Sequence, residues 1–258
     1  MLIKDIVNTI EEFAPLSCQE SWDNSGLCIG SPYAEATGVL LGFDCTEELV
    51  DEAIRRGVNM IVTHHPLIFH GLKRISPDDP LGRIVIKAVS HGINIYAAHT
   101  SADKVVGGVS YAMASRLGLS DVEILDPDAE GYGLGVVGNL PRQYSCEEMV
   151  ALVKERFGLE MLRCSKPLSV PVTRVAMCGG SGSSLVDKAM ESGAQLYLTA
   201  DVSYHHFFAR DGFMVMDVGH YESEKDIVDI LFSLIKKKFP TFAVLLTDNV
   251  YSNPIFYF

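Results

Sequence analysis

Apolar runs and amphipathic segments alternate along nearly the whole chain. Runs of consecutive apolar residues predict buried strands at 37–44, 59–63, 93–99, 173–180, 195–201, 213–219 and 242–248. Segments with apolar residues at helical spacing predict helices at 1–15, 45–57, 79–92, 107–119, 145–158, 183–193 and 222–239. The strand runs are continuous rather than alternating, which predicts an α/β fold with largely parallel sheets in layered α/β/α packing. Residues 120–140 follow neither pattern and are expected to form a looser connection.

An internal repeat indicates two pseudo-symmetric halves. Residues 39–63 align with residues 175–199 without a gap, and seven of the 25 aligned positions are identical. Average composition would give about one or two identities by chance. We interpret the repeat as a duplication in which each copy sends one further strand to the same edge of a sheet.

Histidines and carboxylates stand where predicted strands end. Two adjacent histidines follow the strand at 59–63, and two later histidines each precede an acid by four residues. Positions i and i+4 share one face of a helical turn, so each of the later pairs can reach a common point. The candidate ligands are His64, His65, His99, Asp103, His220 and Glu224. Taken alone, the adjacent pair would be one core and one surface histidine, because neighbours on a regular strand point to opposite faces.

The agreement of three segments favours a metal site at the carboxyl ends of the strands. Imidazole and carboxylate ligands without cysteine suit zinc, manganese, iron, cobalt or nickel rather than a structural zinc–thiolate site. Six candidates exceed what one catalytic ion needs, so two divalent ions bridged by a carboxylate fit the set.

Composition limits the classes of binding partner and the cellular compartment that we expect for this protein. The 258-residue chain is 48% hydrophobic and 21% charged, with a formal net charge of −12 at pH 7. This balance is typical of a soluble globular protein and argues against a nucleic-acid or membrane-binding surface. The N-terminal segment lacks the apolar core of a signal peptide, and no stretch approaches a membrane span. Six cysteines without a C-x-x-C pair predict reduced thiols in a cytoplasmic protein.

Six short strings, in fixed order, carry a resemblance to a known family. They are SWDNSGL, FDCT, THHPLIF, AAHTSAD, CGGSG and VGHYESE. In this combination the chain resembles, over nearly its whole length, the Nif-three (NGG-one-interacting factor three) family, also labelled GTP cyclohydrolase 1 type 2 homologues. The resemblance implies a single globular unit of two intertwined α/β halves, at about 1–125 and 126–258, a dinuclear metal site and ring-shaped homohexamers. The domain that long members insert between the halves is absent here.

The resemblance also implies roles for individual residues. The implied metal ligands are His64, His65, Asp103, His220 and Glu224, with Glu224 or Asp103 as the bridging carboxylate. His99 is expected beside the metals, where it would orient Asp103 or a bound water. The attacking group would be water activated by the ions rather than a side chain.

A metal-dependent hydrolase is the function that the resemblance favours. The family's label points to hydrolytic opening of the purine ring of GTP with loss of formate, and a phosphoesterase-like reaction could use the same two ions. From a different class, the chain could be a non-catalytic metal-binding scaffold or a regulatory interaction protein that forms a ring oligomer. Family membership gives a site rather than a chemistry, so these alternatives stay open at this point.

Two loops contribute candidates for substrate contacts. Trp22, the only tryptophan, and Asp23 precede a predicted strand, where a packing anchor and a substrate-contacting lip are both compatible with the sequence. Gly180 and Ser181 lie between a predicted strand and helix. A tight turn is preferred there to a phosphate-binding loop, because the full P-loop pattern is missing.

Other polar residues near strand ends carry weaker expectations. Asp44 follows a predicted strand and is a candidate for the surroundings of the metals, and Thr46 is expected to cap the next helix. His205 and His206 are expected to pack or to form a rim, since adjacent positions on a helix do not share a face.

Overall fold

The chain divides into two compact units in the computed structural model, which describes residues 1–128, 131–248 and 253–256. The first unit comprises Met1–Ala102 together with Ile227–Phe258, and the second comprises Asp103–Asp226. The predicted repeat halves, at about 1–125 and 126–258, stay a prediction.

The seven predicted strands and the seven predicted helices are all present, and further strands and short helices lie between them. The helices are α1 (Ile3–Phe13), α2 (Glu47–Arg56), α3 (Pro80–Ser90), α4 (His99–Asp103), α5 (Val109–Leu117), α6 (Cys146–Phe157), α7 (Val186–Glu191), α8 (His220–Glu224) and α9 (Asp226–Lys238). The strands are β1 (Gly26–Ile29), β2 (Val39–Leu41), β3 (Met60–Thr63), β4 (Asn94–Ala97), β5 (Ser120–Pro127), β6 (Gly133–Tyr144), β7 (Arg163–Cys164), β8 (Val172–Met177), β9 (Leu196–Thr199), β10 (Met214–Asp217) and β11 (Val244–Leu246). None of the helices in the described residues has the length and apolar character that a bilayer crossing requires.

The first unit contains a five-stranded sheet in the order β1-β4-β3-β2-β11. Strands β4, β3, β2 and β11 pair in parallel, and β1 is antiparallel to β4 at one edge. Every residue of β2, β3 and β4 is buried, which explains their continuous apolar runs. Because these strands are parallel, Leu41, Thr63 and Ala97 all lead the chain out at the same edge of the sheet.

The second unit contains a six-stranded sheet in the order β5-β6-β8-β9-β10-β7. Strands β8, β9 and β10 are parallel, whereas β5, β6 and β7 join the sheet through antiparallel pairs. The prediction of largely parallel sheets is therefore wrong, because both sheets are mixed. Strands β5 and β6 lie in the region expected to be a looser connection, where Gly133, Gly135 and Gly138 interrupt the apolar pattern of β6.

Helices cover both faces of the second sheet. On one face, Met113 of α5 and Phe157 of α6 belong to the same apolar cluster as Met214 of β10. On the other face, Ala189 of α7 clusters with Val215 of β10. Neighbouring residues of one strand therefore pack into opposite layers, and the layered α/β packing is confirmed.

The two units repeat the same strand register. Val39 of β2 pairs with Met60 of β3, and the aligned residue Val175 of β8 pairs with the aligned residue Leu196 of β9. The third parallel strand differs by one residue, because α8 begins one position later after β10 than α4 does after β4. Gly219, with φ 85°, occupies the extra position. The matched registers support the duplication.

A buried carboxylate links α2 to the end of β11 in the first unit. Glu52 accepts hydrogen bonds from Arg56 Nη1 at 2.7 Å, Thr247 Oγ1 at 2.6 Å and the backbone N–H of Asp248 at 3.0 Å. Burial alone would raise the pKa of the Glu52 carboxyl, but these hydrogen bonds outweigh burial and lower the pKa. The ionised form of Glu52 is therefore part of the folded first unit.

Candidate metal centre

The backbone turns at the end of β3 and brings two adjacent histidines together. The N–H groups of His64 and His65 both donate to the carbonyl oxygen of Phe43, at 3.1 and 3.4 Å. Thr63 Oγ1 donates to the carbonyl oxygen of His65 at 2.8 Å. The two imidazole centroids are 4.8 Å apart, which opposite faces of a regular strand would not permit. The two rings therefore lie side by side, with His64 buried and His65 partly exposed.

His99, the first residue of α4, joins this pair in the first unit. Its N–H donates to the carbonyl oxygen of His64 at 2.8 Å. Its ring centroid lies 5.7 Å from that of His64 and 5.5 Å from that of His65. The ends of β3 and β4 thus assemble three imidazoles, which we call the first histidine group (His64, His65 and His99).

Carboxylates fix the orientation of two rings in the first histidine group. Asp44 Oδ1 lies 2.7 Å from His65 Nδ1, and Asp23 Oδ1 lies 2.6 Å from His99 Nδ1. An ionised carboxylate can only accept a hydrogen bond, so Nδ1 carries the proton in both rings. Where such a histidine binds a metal, the carboxylate fixes the ring tautomer and Nε2 is the ligand atom.

The buried carboxylate of Asp23 accepts several hydrogen bonds besides the one from His99. It accepts hydrogen bonds from Ser25 Oγ at 2.7 Å and from the N–H of Thr100 at 3.1 Å, and the Thr100 hydroxyl donates to the same oxygen as that N–H. Burial opposes ionisation of Asp23, but the hydrogen bonds from His99, Thr100 and Ser25 outweigh it and hold the pKa of the carboxyl well below its usual range. Asp23 therefore stays charged and holds His99 in one orientation.

In the second unit, His220 and Glu224 lie on one face of α8, as their spacing predicts. His220 Nε2 is 3.0 Å from Glu224 Oε2, and Glu224 is buried. His220 Nδ1 is 2.7 Å from Asp201 Oδ2. Asp201 follows β9 and has φ 52°, in the left-handed region that aspartate tolerates better than most residues. We call His220, Glu224 and Asp201 the second histidine group.

Gly180 makes room for the carboxylate of this group. A Cβ atom on Gly180 would lie 2.2 Å from Glu224 Oε1 and 3.4 Å from His220 Cε1. Its φ of 58° is also in the left-handed region. The glycine is therefore required both by the turn and by the close approach of Glu224.

Charges at Asp103 and Glu224 act on a common neighbour, Cys178. Burial first, and then the charges of Asp103 and Glu224, raise the pKa of the Cys178 thiol to about 12. Burial and neighbouring charges, including that of Asp44, likewise raise the pKa of Cys45 to about 12. Both thiols are protonated at neutral pH and are poor nucleophiles and metal ligands.

The loop at Gly180 forms a tight turn. The N–H of Gly180 donates to Ser223 Oγ at 3.0 Å, and the N–H of Gly182 donates to Thr199 Oγ1 at 2.9 Å. These two amides bond inside the protein rather than facing a ligand, which favours the turn over a phosphate cradle. Substrate contact by Ser181, the exposed residue between them, stays a prediction.

The remaining candidates lie apart from the two groups or at their margin. Trp22 is 57% exposed, and its ring lies 6.0 Å from that of His99. His205 and His206 are exposed on the 3₁₀ helix Tyr204–Phe207, where His206 Nδ1 is 2.8 Å from Ser203 Oγ. Thr46 Oγ1 accepts from the N–H of Leu49 at 3.2 Å, so the predicted cap of α2 is confirmed.

Two residues in or beside the histidine groups were not predicted from the sequence. Asp201 aligns with His65 in the internal repeat, but the alignment does not show that its carboxylate holds His220. Phe69, whose ring lies 5.8 Å from that of His99, ends the string THHPLIF, which does not indicate this contact. The alignment of Asp201 with His65 was the one sequence signal that pointed to Asp201. The contact of Phe69 with His99 depends on how the loop after β3 folds back, which the sequence does not indicate.

Comparison with known proteins decides the family. Residues 1–254 match the model of a family described as Duf34/NIF3 (NGG1p interacting factor 3). The chain belongs to the NIF3 family. The resemblance carried by the six sequence strings is therefore confirmed.

Relatives in the NIF3 family cover most of this chain. It is 33% identical over 259 residues to the GTP cyclohydrolase 1 type 2 homolog of Clostridium perfringens, covering 98% of each chain. It is 35% identical over 221 residues to the protein NIF3 homolog of Schizosaccharomyces pombe, covering 80% of this chain and 78% of the relative. The crystal structure of the Staphylococcus aureus hypothetical protein SA1388 superposes with a TM-score of 0.90 at 28% identity, covering 100% of this chain and 99% of that chain.

Proposed function

We propose that the protein is a metal-dependent hydrolase whose two histidine groups together hold two divalent ions. The proposed ligands are His64, His65, Asp103, His220 and Glu224. The observation that carries the proposal is that His65, His99 and His220 each hold Nδ1 against a carboxylate. Metal-binding histidines are held in this way, because the carboxylate fixes the tautomer and raises the basicity of Nε2.

The donor types fit divalent transition-metal ions. His64, His65 and Glu224 each offer one ligand atom, an imidazole nitrogen or a carboxylate oxygen. This set suits zinc, manganese, iron, cobalt or nickel. The nearby cysteines stay protonated and do not compete as ligands. Glu224, against which Gly180 leaves space, or Asp103 would bridge the ions.

The proposed chemistry divides between the ions and the chain. Divalent ions would lower the pKa of water and polarise the substrate group under attack. His99, whose Nδ1–H donates to Asp23, can take a proton at Nε2, and the buried Asp23 carboxylate stabilises the imidazolium that results. Asp44 and Asp201 keep the rings of His65 and His220 in one orientation, which holds their Nε2 atoms in place.

Similarity to relatives supports a proposal for the substrate class and the oligomeric state of this protein. The Clostridium perfringens relative is named a GTP cyclohydrolase 1 type 2 homolog, and we propose a nucleotide as the substrate here, with hydrolysis of its purine ring or of a phosphoester. The family resemblance of the sequence also supports a homohexamer, and the sequence composition supports a cytoplasmic location.

A turnover screen tests the proposed function. Protein loaded with zinc, manganese or iron would be incubated with nucleotides and phosphoesters, and products would be followed by chromatography. We expect turnover that is lost in Glu224→Ala and kept in Glu155→Ala, a matched change at an exposed glutamate of the second unit. Absence of turnover on every substrate class, with metal bound, would contradict the hydrolase and favour a metal-binding scaffold.

A further inference from the structure

Two large aromatic side chains lie exposed beside the first histidine group. Trp22 is 57% exposed and Phe69 is 40% exposed, and their ring centroids are 5.8 Å apart at a tilt of 45°. Covering such rings with another apolar surface is favourable, because water is released from both. The pair is therefore a preformed aromatic surface that a flat ligand can cover.

One hydrogen bond joins the two loops that carry these rings. Asn24 Nδ2 donates to the carbonyl oxygen of Ile68 at 2.6 Å, and these residues lie two positions after Trp22 and one position before Phe69. The N–H of Asn24 also donates to Asp23 Oδ1 at 2.6 Å. This link between the loops lowers the ordering cost of binding a ligand.

An imidazole supplies a polar edge to this aromatic surface. The ring of His99 meets Trp22 and Phe69 edge-on, at centroid distances of 6.0 and 5.8 Å and interplanar angles of 74° and 78°. Asp23 occupies His99 Nδ1, so Nε2 is the atom available to a ligand. Apolar faces with one hydrogen-bonding group at the margin suit a planar heteroaromatic ring better than an aliphatic chain.

Two cations on the same connection suit an anionic substituent on that ring. Lys73 and Arg74 are exposed, and neither has an ion-pair partner among the described residues. They line a cavity of about 460 Å³ together with Ser76, Asp78 and Asp79. Four extended residues span at most about 14 Å, so Lys73 lies within that distance of Phe69 along the chain.

The two aspartates of the cavity are already engaged in local hydrogen bonds. Asp78 accepts a hydrogen bond from Ser76 Oγ at 3.3 Å, and Asp79 accepts one from the N–H of Gly82 at 2.9 Å, where it caps α3. In a chain with a net charge of −12, a phosphorylated ligand needs such local cations.

We infer that Trp22 and Phe69 stack against the planar ring of a phosphorylated heteroaromatic ligand, whose phosphate is bound by Lys73 and Arg74. The inference rests on the proposed function only in taking this ligand to be the substrate of the same centre. It assigns the recognition of the substrate ring to the first unit, and specifically to Phe69.

Trp22 itself reports on ligand binding, because it is the only tryptophan in the sequence. The full-length protein, prepared without metal, would be titrated with GMP and with guanosine while tryptophan fluorescence is followed. We expect saturable quenching by both probes. Phe69→Ala should weaken binding of both by about 5- to 150-fold, as removal of one base-stacking aromatic residue does. Arg74→Ala should weaken GMP alone, by about two- to fivefold for an exposed ion pair.

Tyr33→Ala is the matched control, since Tyr33 is an exposed aromatic residue of the same unit that lies against Lys4 rather than His99. It should leave both affinities unchanged. Absence of quenching up to millimolar probe, or equal losses in Phe69→Ala and Tyr33→Ala, would overturn the inference. A fluorescence change that follows protein concentration rather than probe would overturn it too, because the patch would then be a subunit interface. Probe binding by the metal-free protein separates this test from the proposed hydrolase, whose failure would appear in the turnover screen alone.

Discussion

Gly180→Ala tests whether the carboxylate of Glu224 depends on a missing side chain. A Cβ atom at this position would lie 2.2 Å from Glu224 Oε1 and 3.0 Å from its Cδ. The atom that must move is the end of a flexible side chain, so the clash is relieved by displacing the carboxylate rather than the fold. We therefore expect a modest loss of stability and a large loss of metal affinity.

The free-energy cost of placing alanine in this backbone conformation can be separated from the effect of displacing the Glu224 carboxylate. Alanine in the left-handed region costs about 1–2 kcal/mol, and each kcal/mol lowers the melting temperature by about 2–4 °C for a chain of this size. Gly193→Ala is the matched control, since Gly193 has φ 79° and nothing lies within 4 Å of its added Cβ. Both variants should show the same backbone cost.

Metal affinity distinguishes the two variants. Gly180→Ala should bind zinc or manganese at least about ten- to a hundredfold more weakly, because removal of a residue that only orients a metal ligand already causes a loss of this size. Gly193→Ala should bind like the wild type. The assay is competition against a chromogenic chelator, combined with calorimetric melting. Equal metal affinity in the two variants would refute the assignment of Glu224 as a ligand.

Three further predictions concern single side chains. Glu52→Gln should lower the free energy of unfolding by about 1–3 kcal/mol at pH 7. Folding lowers the pKa of this carboxyl, so its stabilising contribution is complete above the unfolded pKa near 4.3 and is lost as the pH falls through the folded pKa. Urea titrations should therefore show that the free energy of unfolding depends less on acidic pH in the variant than in the wild type. Asp201→Asn should weaken metal binding by about ten- to a hundredfold in the chelator assay, whereas the exposed control Asp211→Asn should not. His205→Ala and His206→Ala should keep full metal content by elemental analysis, and a loss in either would contradict the proposed ligand set.

The positions of the site residues follow from the apolar strand pattern. Strands β2, β3 and β4 are parallel, so residues that follow them in the sequence, such as Asp44, His64 and His99, leave the sheet at one edge. The spacing of His220 and Glu224 likewise places them on one face of a short helix. Both inferences need only the regular spacing at which side chains recur on one face of a strand or helix.

The partners of these residues could not be predicted in the same way. The contact between Asp23 and His99 joins positions 76 apart in the sequence, and no local pattern links them. The role of Asp201 depends on a left-handed backbone conformation that aspartate shares with asparagine and glycine. The antiparallel strands β5 and β6 were missed because glycines at contact positions of β6, including Gly133 against the Asp126 carbonyl, replace the apolar residues that would mark a strand.

X-ray diffraction at the absorption edge of a loaded metal tests most directly the claim that the two histidine groups form one dinuclear centre. The account predicts two anomalous peaks per chain, about 3.5–4 Å apart. Each peak should lie about 2.0–2.2 Å from its imidazole nitrogen and carboxylate oxygen ligands, with His64 and His65 contributing from the first unit and His220 and Glu224 from the second. A single peak bound by one group alone, or peaks at His205 and His206, would contradict it.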